Sequence, residues 1–254
     1  ANIGTTVTAQ IIALKITKYG IPFFALGFLL YFLPFKRKIK YLGLSIMVFG
    51  LIFIGIEIMA GSVEPLKQYQ AVKDLFVKFG KIPILGVLVS ATFTAIEQSS
   101  SVSIGIVQAL AMKGLLDISS AFPFVIGANI GTTVTAMIAS IGTTVSAKRA
   151  AVSHLIFNII GALIFLIILH PYINFIKTLG GDTVKQIANS HTLFNIINTL
   201  IFLPFIKLFV DFVKRLVPGK EIVVETGVQY LTKSMLKSPL LAFSSLRKET
   251  QRIS

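Results

Sequence analysis

Long apolar runs alternate with short polar or basic breaks along most of the chain. Six of them read as membrane-embedded helices: Ile3 to Leu14, Ile21 to Phe35, Tyr41 to Ala60, Phe122 to Ile141, Ala150 to Leu169 and Ile187 to Val210. Hydrocarbon offers no partner for backbone polar groups, so only helices or closed barrels can cross it, and about 20 residues are needed for one helical span. Pro83 to Met112 is also apolar, but a polar run at its centre predicts a re-entrant pair of helices. Between Pro65 and Lys81 the period changes. Leu66, Tyr69, Val72, Phe76 and Phe79 recur at helical spacing, with Lys67, Asp74 and Lys78 opposite, which predicts an amphipathic helix at the membrane interface. Beyond Lys214-Arg215, Val217-Pro218-Gly219 ends the apolar pattern, and the tail to Ser254 is charged with scattered Leu and Tyr. That tail reads as the start of a soluble or surface helical region.

Two internal duplications stand out. Ala1-Asn2-Ile3-Gly4-Thr5-Thr6-Val7-Thr8-Ala9 recurs unchanged as Ala128 to Ala136. The repeat is built on Asn, Gly and Thr, so apolar composition cannot produce it by chance. A shorter duplication sets Ser153-His154-Leu155-Ile156-Phe157-Asn158-Ile159-Ile160 against Ser190-His191-Thr192-Leu193-Phe194-Asn195-Ile196-Ile197. The chain opens inside the first motif, with no initiator Met and no signal peptide, and so reads as a piece of a longer protein.

Composition agrees with the membrane class. Charged residues make up 13% of the chain, about half the roughly 25% usual in soluble domains. The net charge of +14 could suggest nucleic acid, but the cations sit between apolar runs and form no continuous basic face. Such a distribution suits loops anchored at anionic lipid, and no nucleic-acid partner is expected. Cysteine is absent, which excludes disulfides and thiolate metal sites. Lys36 to Lys40, Lys148-Arg149 and Lys214-Arg215 are expected on the cytoplasmic side. All three clusters agree only if Pro83 to Met112 enters and leaves on one face. Lys15, Lys18, Lys67, Lys73, Lys78 and Lys81 would then lie outside. On this count the motif at Asn2 runs outward and its copy at Asn129 inward. An inverted pair of repeats with interrupted helices is a transporter architecture, with the binding site where the repeats meet. The expected fold is therefore all-α: a polytopic membrane protein with two inverted repeats, broken helices and a re-entrant hairpin.

The candidate chemistry is uncharged. Thr92-Phe93-Thr94-Ala95-Ile96-Glu97-Gln98-Ser99-Ser100-Ser101 is the most polar run inside an apolar segment. Four consecutive polar side chains from Gln98 to Ser101 cannot all face one side of a helix, so some face a cavity or the helix breaks. Hydroxyls, the Gln amide and freed N–H groups can donate to an oxyanion, and a helix N-terminus adds partial positive charge. Carbonyl and hydroxyl oxygens of the same turn can take up Na⁺. Against this stands helix packing by small residues, with hydroxyls bonded back to the preceding turn. Asn129, Thr132 and Thr133 offer a second such cluster, and Asn2, Thr5 and Thr6 its duplicate. Glu97 and Glu57 are the only acids in the apolar spans. Glu97, beside Gln98, is open to cation binding, protonation or a structural hydrogen bond, whereas Glu57 near a span end reaches the interface. His154 and His191 are expected to join helices by hydrogen bonds rather than to bind metal. No nucleophile–base–acid set, P-loop or metal-ligand spacing is present, so catalysis has no support.

Gln98-Ser99-Ser100-Ser101, followed 31 positions on by Asn129-Ile130-Gly131-Thr132-Thr133, resembles the paired signature of the type II sodium/phosphate cotransporter family. The His-x-x-Phe-Asn pieces at His154 and His191 are similar to those of its bacterial members. The resemblance covers about Ala1 to Val210. It implies sodium-coupled transport of inorganic phosphate by two inverted repeats, each with a QSSS hairpin and a following helix, and no cofactor beyond sodium as coupling ion. Carried over by position, substrate contacts fall on Gln98, Ser99, Ser100, Ser101, Asn129, Thr132 and Thr133, with Asn2, Thr5 and Thr6 from the other repeat. Sodium contacts fall on Gln98, Ser99, Ser101 and Thr133, with Glu97 an open case. Only one QSSS is present, and its twin is expected about 30 residues before Asn2. The tail after Gly219 is similar to the lead-in of a PhoU-like helical domain.

These expectations divide the chain at 1–64 (rest of the first repeat and linking spans), 65–212 (second repeat with hairpin) and 213–254 (cytoplasmic tail). The protein is expected in the cell membrane as a multi-pass chain with phosphate, Na⁺ and lipid as partners, and a homo-oligomer is compatible with it. Two other classes stand beside the cotransporter: a channel or exporter of phosphate-like oxyanions such as arsenate, and a membrane-anchored regulator acting through its tail.

Overall fold

The computed structural model describes residues 2–14, 19–63, 65, 68–70, 74, 78, 82–219 and 239–253. All regular structure among them is helical. The chain divides into two units, Ala1–Gly219 and Lys220–Ser254. In the first, the helices are α1 (Asn2–Ala13), α2 (Gly20–Phe32), α3 (Arg37–Val63), α4 (Pro83–Glu97), α5 (Ser100–Met112), α6 (Ile118–Gly131), α7 (Thr133–Ala139), α8 (Val145–Ile167), α9 (Leu169–Thr178), α10 (Thr183–Phe202) and α11 (Ile206–Leu216), with a 3₁₀ turn at Leu203–Phe205 before the last. The second unit holds α12 (Pro239–Ile253). The amphipathic segment expected between Pro65 and Lys81 falls almost wholly outside the described residues, as does most of the tail.

Helix ends follow local chemistry. Asp117, Thr144 and Asp182 cap α6, α8 and α10 by accepting from the backbone N–H three residues on, at 2.8, 3.3 and 3.0 Å. Pro83 opens α4, where its missing N–H costs nothing. Leu33 turns extended ahead of Pro34 and stops α2 at Phe32, three residues short of the expected end. The third helix starts at Arg37, inside the basic cluster rather than after it. The last expected span, Ile187 to Val210, is longer at both ends and interrupted. Pro204 cannot donate to the preceding turn, and the chain tightens there into the 3₁₀ turn before α11.

Glycine seams set the helix pairs. A Cβ on Gly27 would meet the Gly43 carbonyl oxygen at 2.6 Å, and one on Gly50 would meet that of Gly20 at 2.8 Å. Gly27 therefore lies by Gly43 and Gly20 by Gly50, so α2 and α3 run antiparallel in near-backbone contact. Between α4 and α6, Gly86 faces Pro123, Gly127 faces Ser90, and Gly131 faces Ala91 and Thr94. Positions rise together on both helices, so α4 and α6 are parallel. The helix between them must run the other way. Thr94 and Ser103, nine residues apart, touch at 2.6 Å, whereas a continuous helix would separate them by about 13 Å. The chain thus reverses between α4 and α5, as the sequence predicts.

The sequence pattern does not predict α9. This helix buries Leu169, Tyr172, Ile173 and Ile176 and leaves its polar side out. Tyr172 and Phe165 lie within 5 Å of Phe122 or Phe194 ring centroids, an aromatic cluster that ties α6, α8, α9 and α10 together. The Tyr172 hydroxyl donates to the Ser190 carbonyl oxygen at 2.7 Å.

Among the described residues, four stretches are long and apolar enough to cross a membrane: Arg37–Met59, Ile118–Ala139, Val145–Ile167 and Thr183–Leu216. The second is the most enclosed. Large apolar side chains such as Ile21, Ile96 and Ile167 are more than 70% exposed. Water would penalise so many of them, whereas hydrocarbon would not. Over its described residues the protein is an all-helical membrane protein.

Candidate functional site

The apolar run of α4 ends at Glu97. Gln98 takes a left-handed backbone conformation, φ 61° and ψ 22°, the only positive φ outside glycine among the described residues. Its N–H still donates to Thr94 O at 2.7 Å, closing α4. Ser99 is extended and caps α5, its Oγ accepting from Val102 N at 3.4 Å. Gln98 is exposed, Ser99 and Ser101 are half-buried and Ser100 is buried. The break turns the carboxyl end of α4, rich in free carbonyls, and the amino end of α5, rich in free N–H groups, toward one place. Ser103 Oγ donates to Glu97 Oε1 at 2.9 Å and is also in contact with buried Thr94. Glu57, by contrast, is exposed.

The second cluster lies at the end of α6. Asn129 and Thr133 are buried and Thr132 is half-buried at the joint between α6 and α7. The Thr132 and Thr133 hydroxyls donate back to Asn129 O and Ile130 O at 2.9 and 2.7 Å. Thr5 and Thr6 do the same to Asn2 O and Ile3 O, at 2.7 and 2.8 Å. Their protons serve the helix, and their oxygens keep lone pairs for a ligand.

The two Asn side chains are held by the second duplication. Asn129 Nδ2 donates to Asn195 Oδ1 at 3.3 Å, His191 Nε2 lies 3.1 Å from Asn129 Oδ1, and Asn195 Nδ2 donates to His191 O at 2.9 Å. The same three contacts recur among Asn2, His154 and Asn158, at 2.8, 2.9 and 2.8 Å. Because each Asn Oδ1 faces the ring nitrogen, Nε2 is the donor. His191, Asn195 and Asn158 are fully buried, while His154 and Asn2 are half-buried. The sequence predicts that the histidines join helices, but not that they reach the repeated Asn. The shared duplication is the signal that links them.

Gly131 packs on Thr94, one turn before the break at Gln98, with no room for a Cβ, so the end of α6 lies beside the last turn of α4. The copy at Asn2–Thr6 is bonded to α8 instead. It borders an open cleft of about 390 Å³, with Ser153, His154 and Thr199 as further polar lining. Farther along α1, Gln10 accepts from Lys185 Nζ at 2.9 Å and donates to Thr192 at 2.9 Å. Gln108 Nε2 on α5 joins Ala9 O and Val184 O at 3.0 and 3.2 Å. Among the described residues no group of three His, Cys, Asp or Glu could hold a metal ion. The site offers hydroxyls, amides and helix ends.

Known proteins of similar sequence point to one family. The family model described as Na+/Pi-cotransporter matches residues 1–61 and 65–203. The uncharacterized protein YqeW of Bacillus subtilis is 33% identical over 186 residues, 73% of this chain and 60% of that protein. YjbB of Salmonella typhimurium, named as a candidate inorganic phosphate export protein, is 26% identical over all 254 residues and 47% of its own length. The sodium-dependent phosphate transport protein 2A of Ovis aries is 45% identical over 58 residues, 23% of this chain and 9% of that protein. The chain thus spans about half the length of the curated relatives it matches along most of its residues. No solved structure matches it. With most of its length, both polar clusters included, under one family model, the chain belongs to the Na+/Pi-cotransporter family.

Proposed function

We propose that this protein moves inorganic phosphate across the membrane together with sodium, at a site between Gln98–Ser101 and Asn129–Thr133. The observation that carries this is the helix break at Gln98, one turn beyond the point where Thr94 packs against Gly131 of the Asn129 motif. The four helices α4 to α7 contain no Lys, Arg or His. Phosphate charge at membrane depth would have to be met by helix ends, hydroxyl and amide dipoles, and cations. Sodium is then required on electrostatic grounds, because a dianion alone would be costly there.

Substrate contacts are assigned to Gln98, Ser99, Ser100, Ser101, Asn129, Thr132 and Thr133, and sodium contacts to Gln98, Ser99, Ser101 and Thr133. Asn2, Thr5 and Thr6 complete the arrangement as an inverted copy, a reading supported by the duplicated Asn–His–Asn bonding. The basic clusters at Lys36–Lys40, Lys148-Arg149 and Lys214-Arg215 support a reading with the tail on the cytoplasmic side. Phosphate uptake into proteoliposomes tests the reading. A Na⁺ gradient should drive uptake, and choline in its place should not. Equal uptake in both salts rejects sodium coupling. The name of YjbB favours a second reading, in which net movement is outward. Loading vesicles with phosphate and reversing the Na⁺ gradient separates the two.

A further inference from the structure

The proposed phosphate contacts are all neutral side chains, which exert little pull on an anion still outside the membrane. Attraction at a distance needs a net charge near the mouth. Lys185 is placed to supply one. It lies on the first turn of α10, half-buried, and its backbone N–H donates to the Asp182 carboxylate that caps the helix, at 3.0 Å. Its ammonium reaches across to α1 and donates to Gln10 Oε1 at 2.9 Å. An ammonium has three protons, and the amide that accepts one of them carries no charge. Gln10 thus orients the lysine without neutralising it.

The surroundings hold this pair in place and continue it inward. Gln10 Nε2 donates to Thr192 Oγ1 at 2.9 Å and to Asn189 Oδ1 at 3.3 Å. Gln108 of α5, fully buried, joins Ala9 O and Val184 O, the neighbours of Gln10 and Lys185 in the chain. Lys185 also heads a polar stripe. Lys185, Asn189, Thr192 and Thr199 follow at steps of four, three and seven, one face of α10 with Ile196 as its apolar member. Asn2, Thr6 and Gln10 recur every four residues on α1. The stripes meet at both ends, since Gln10 bonds the α10 residues at one and Asn2 and Thr199 line the same open cleft at the other. A polar seam therefore runs along about 21 Å of α10, from Lys185 to the cleft.

We propose that Lys185 is the first contact of the phosphate anion, at a mouth between α1 and α10, and that the seam leads the anion on toward the cleft at Asn2. The contact is transient. It speeds capture and takes no part in the final site. The inference rests on the reading of phosphate as cargo, and it is independent of sodium coupling.

Initial rates of phosphate movement in proteoliposomes, with phosphate supplied first outside and then inside, test the proposal whichever way the chain faces. Lys185→Gln should raise KM by about tenfold with kcat unchanged, the signature of lost steering. Lys185→Arg, which keeps the charge, should keep the parent KM. Gln10→Glu, which sets a carboxylate against the ammonium, should raise KM as Lys185→Gln does. Added choline chloride at constant Na⁺ should raise the KM of the parent and leave that of Lys185→Gln nearly flat. A parental KM in Lys185→Gln overturns the proposal. So does a fall in kcat alone, or a raised KM in Lys185→Arg, since either marks a role in packing the helices. If Lys185→Gln does not fold, Gln10→Glu decides, with a parental KM again counting against it. Uptake by the parent that ignores sodium rejects the coupled-transport reading and leaves the KM comparison standing.

Discussion

His191 Nε2 lies 3.1 Å from Asn129 Oδ1, and the equivalent pair His154 and Asn2 lies at 2.9 Å. Each repeated Asn thereby has its oxygen committed to a ring N–H and one amide hydrogen committed to a second Asn. One amide hydrogen and one oxygen lone pair remain for a ligand. The Asn side chains act as clamps that hold the ends of α1 and α6, while nearby hydroxyl oxygens stay available.

The clamps should differ in strength of effect. His191→Leu leaves Asn129 Oδ1 unpaired where no solvent reaches, at a cost of about 1–3 kcal/mol. His154→Leu should cost less, since Asn2 borders an open cleft. Melting temperatures of the two variants in one detergent provide the comparison. A larger drop for His154→Leu would contradict the ranking.

The contact between α4 and α6 should tolerate no added atom. A Cβ on Gly131 would sit 2.5 Å from Ala91 O and 2.6 Å from Thr94 Cβ, on backbone that cannot swing away. Gly55, on α3, meets nothing within 4 Å. Gly131→Ala should therefore lower stability by about 1–3 kcal/mol, the usual cost of overpacking, and lower phosphate uptake with it. Gly55→Ala should change neither. Uptake and thermal melting on both variants check this, and a normal Gly131→Ala protein would mean that the two helices are not in close contact.

Much of this site is legible in the amino-acid sequence. A polar run at Gln98–Ser101 cannot stay in one apolar helix, and the break follows from that alone. The Asn–Gly–Thr duplication marks the second cluster for a similar reason. The joining of Asn129 to His191 is not legible, because the partners lie on different helices and neither spacing nor periodicity records a contact across the chain. The α9 helix escapes a reading by apolar runs because His170, Asn174 and Lys177 interrupt its apolar residues. Its period shows only when Leu169, Tyr172, Ile173 and Ile176 are taken as one face. Pro204 falls within an apolar span whose mean character hides a local break.

The aromatic cluster also contains a polar bond that can be tested. Tyr172→Phe removes the hydroxyl that donates to Ser190 O while keeping the ring among Phe122, Phe165 and Phe194. The loss should be about 1 kcal/mol of stability, as for one buried hydrogen bond, with Na⁺-dependent uptake unchanged at a temperature well below melting. A strong uptake defect at full stability would give α9 a role in transport that its packing does not suggest.

Gln98 separates backbone from side chain most sharply. Its φ of 61° is a conformation that non-glycine residues adopt at a cost of about 1–2 kcal/mol. Glycine pays no such cost, so Gln98→Gly should be at least as stable as the parent and more stable than Gln98→Ala by about 1 kcal/mol. Both variants remove the amide, which the proposed mechanism uses at the phosphate and sodium site. Both should therefore lose most Na⁺-dependent uptake, even though one of them relaxes the very turn that forms the hairpin. Ser100→Ala, which removes a buried hydroxyl without touching the turn, should lose uptake as well. Melting temperature, together with phosphate affinity in Na⁺ and in choline, would be measured on all three. If Gln98→Gly transports normally, the glutamine serves only to end α4, and the phosphate contacts must lie with Ser99 to Ser101 and the Asn129 motif. If Gln98→Ala fails while Gln98→Gly works, the defect is backbone strain. Loss in both variants, with Gln98→Gly the more stable, is the result the side-chain role requires.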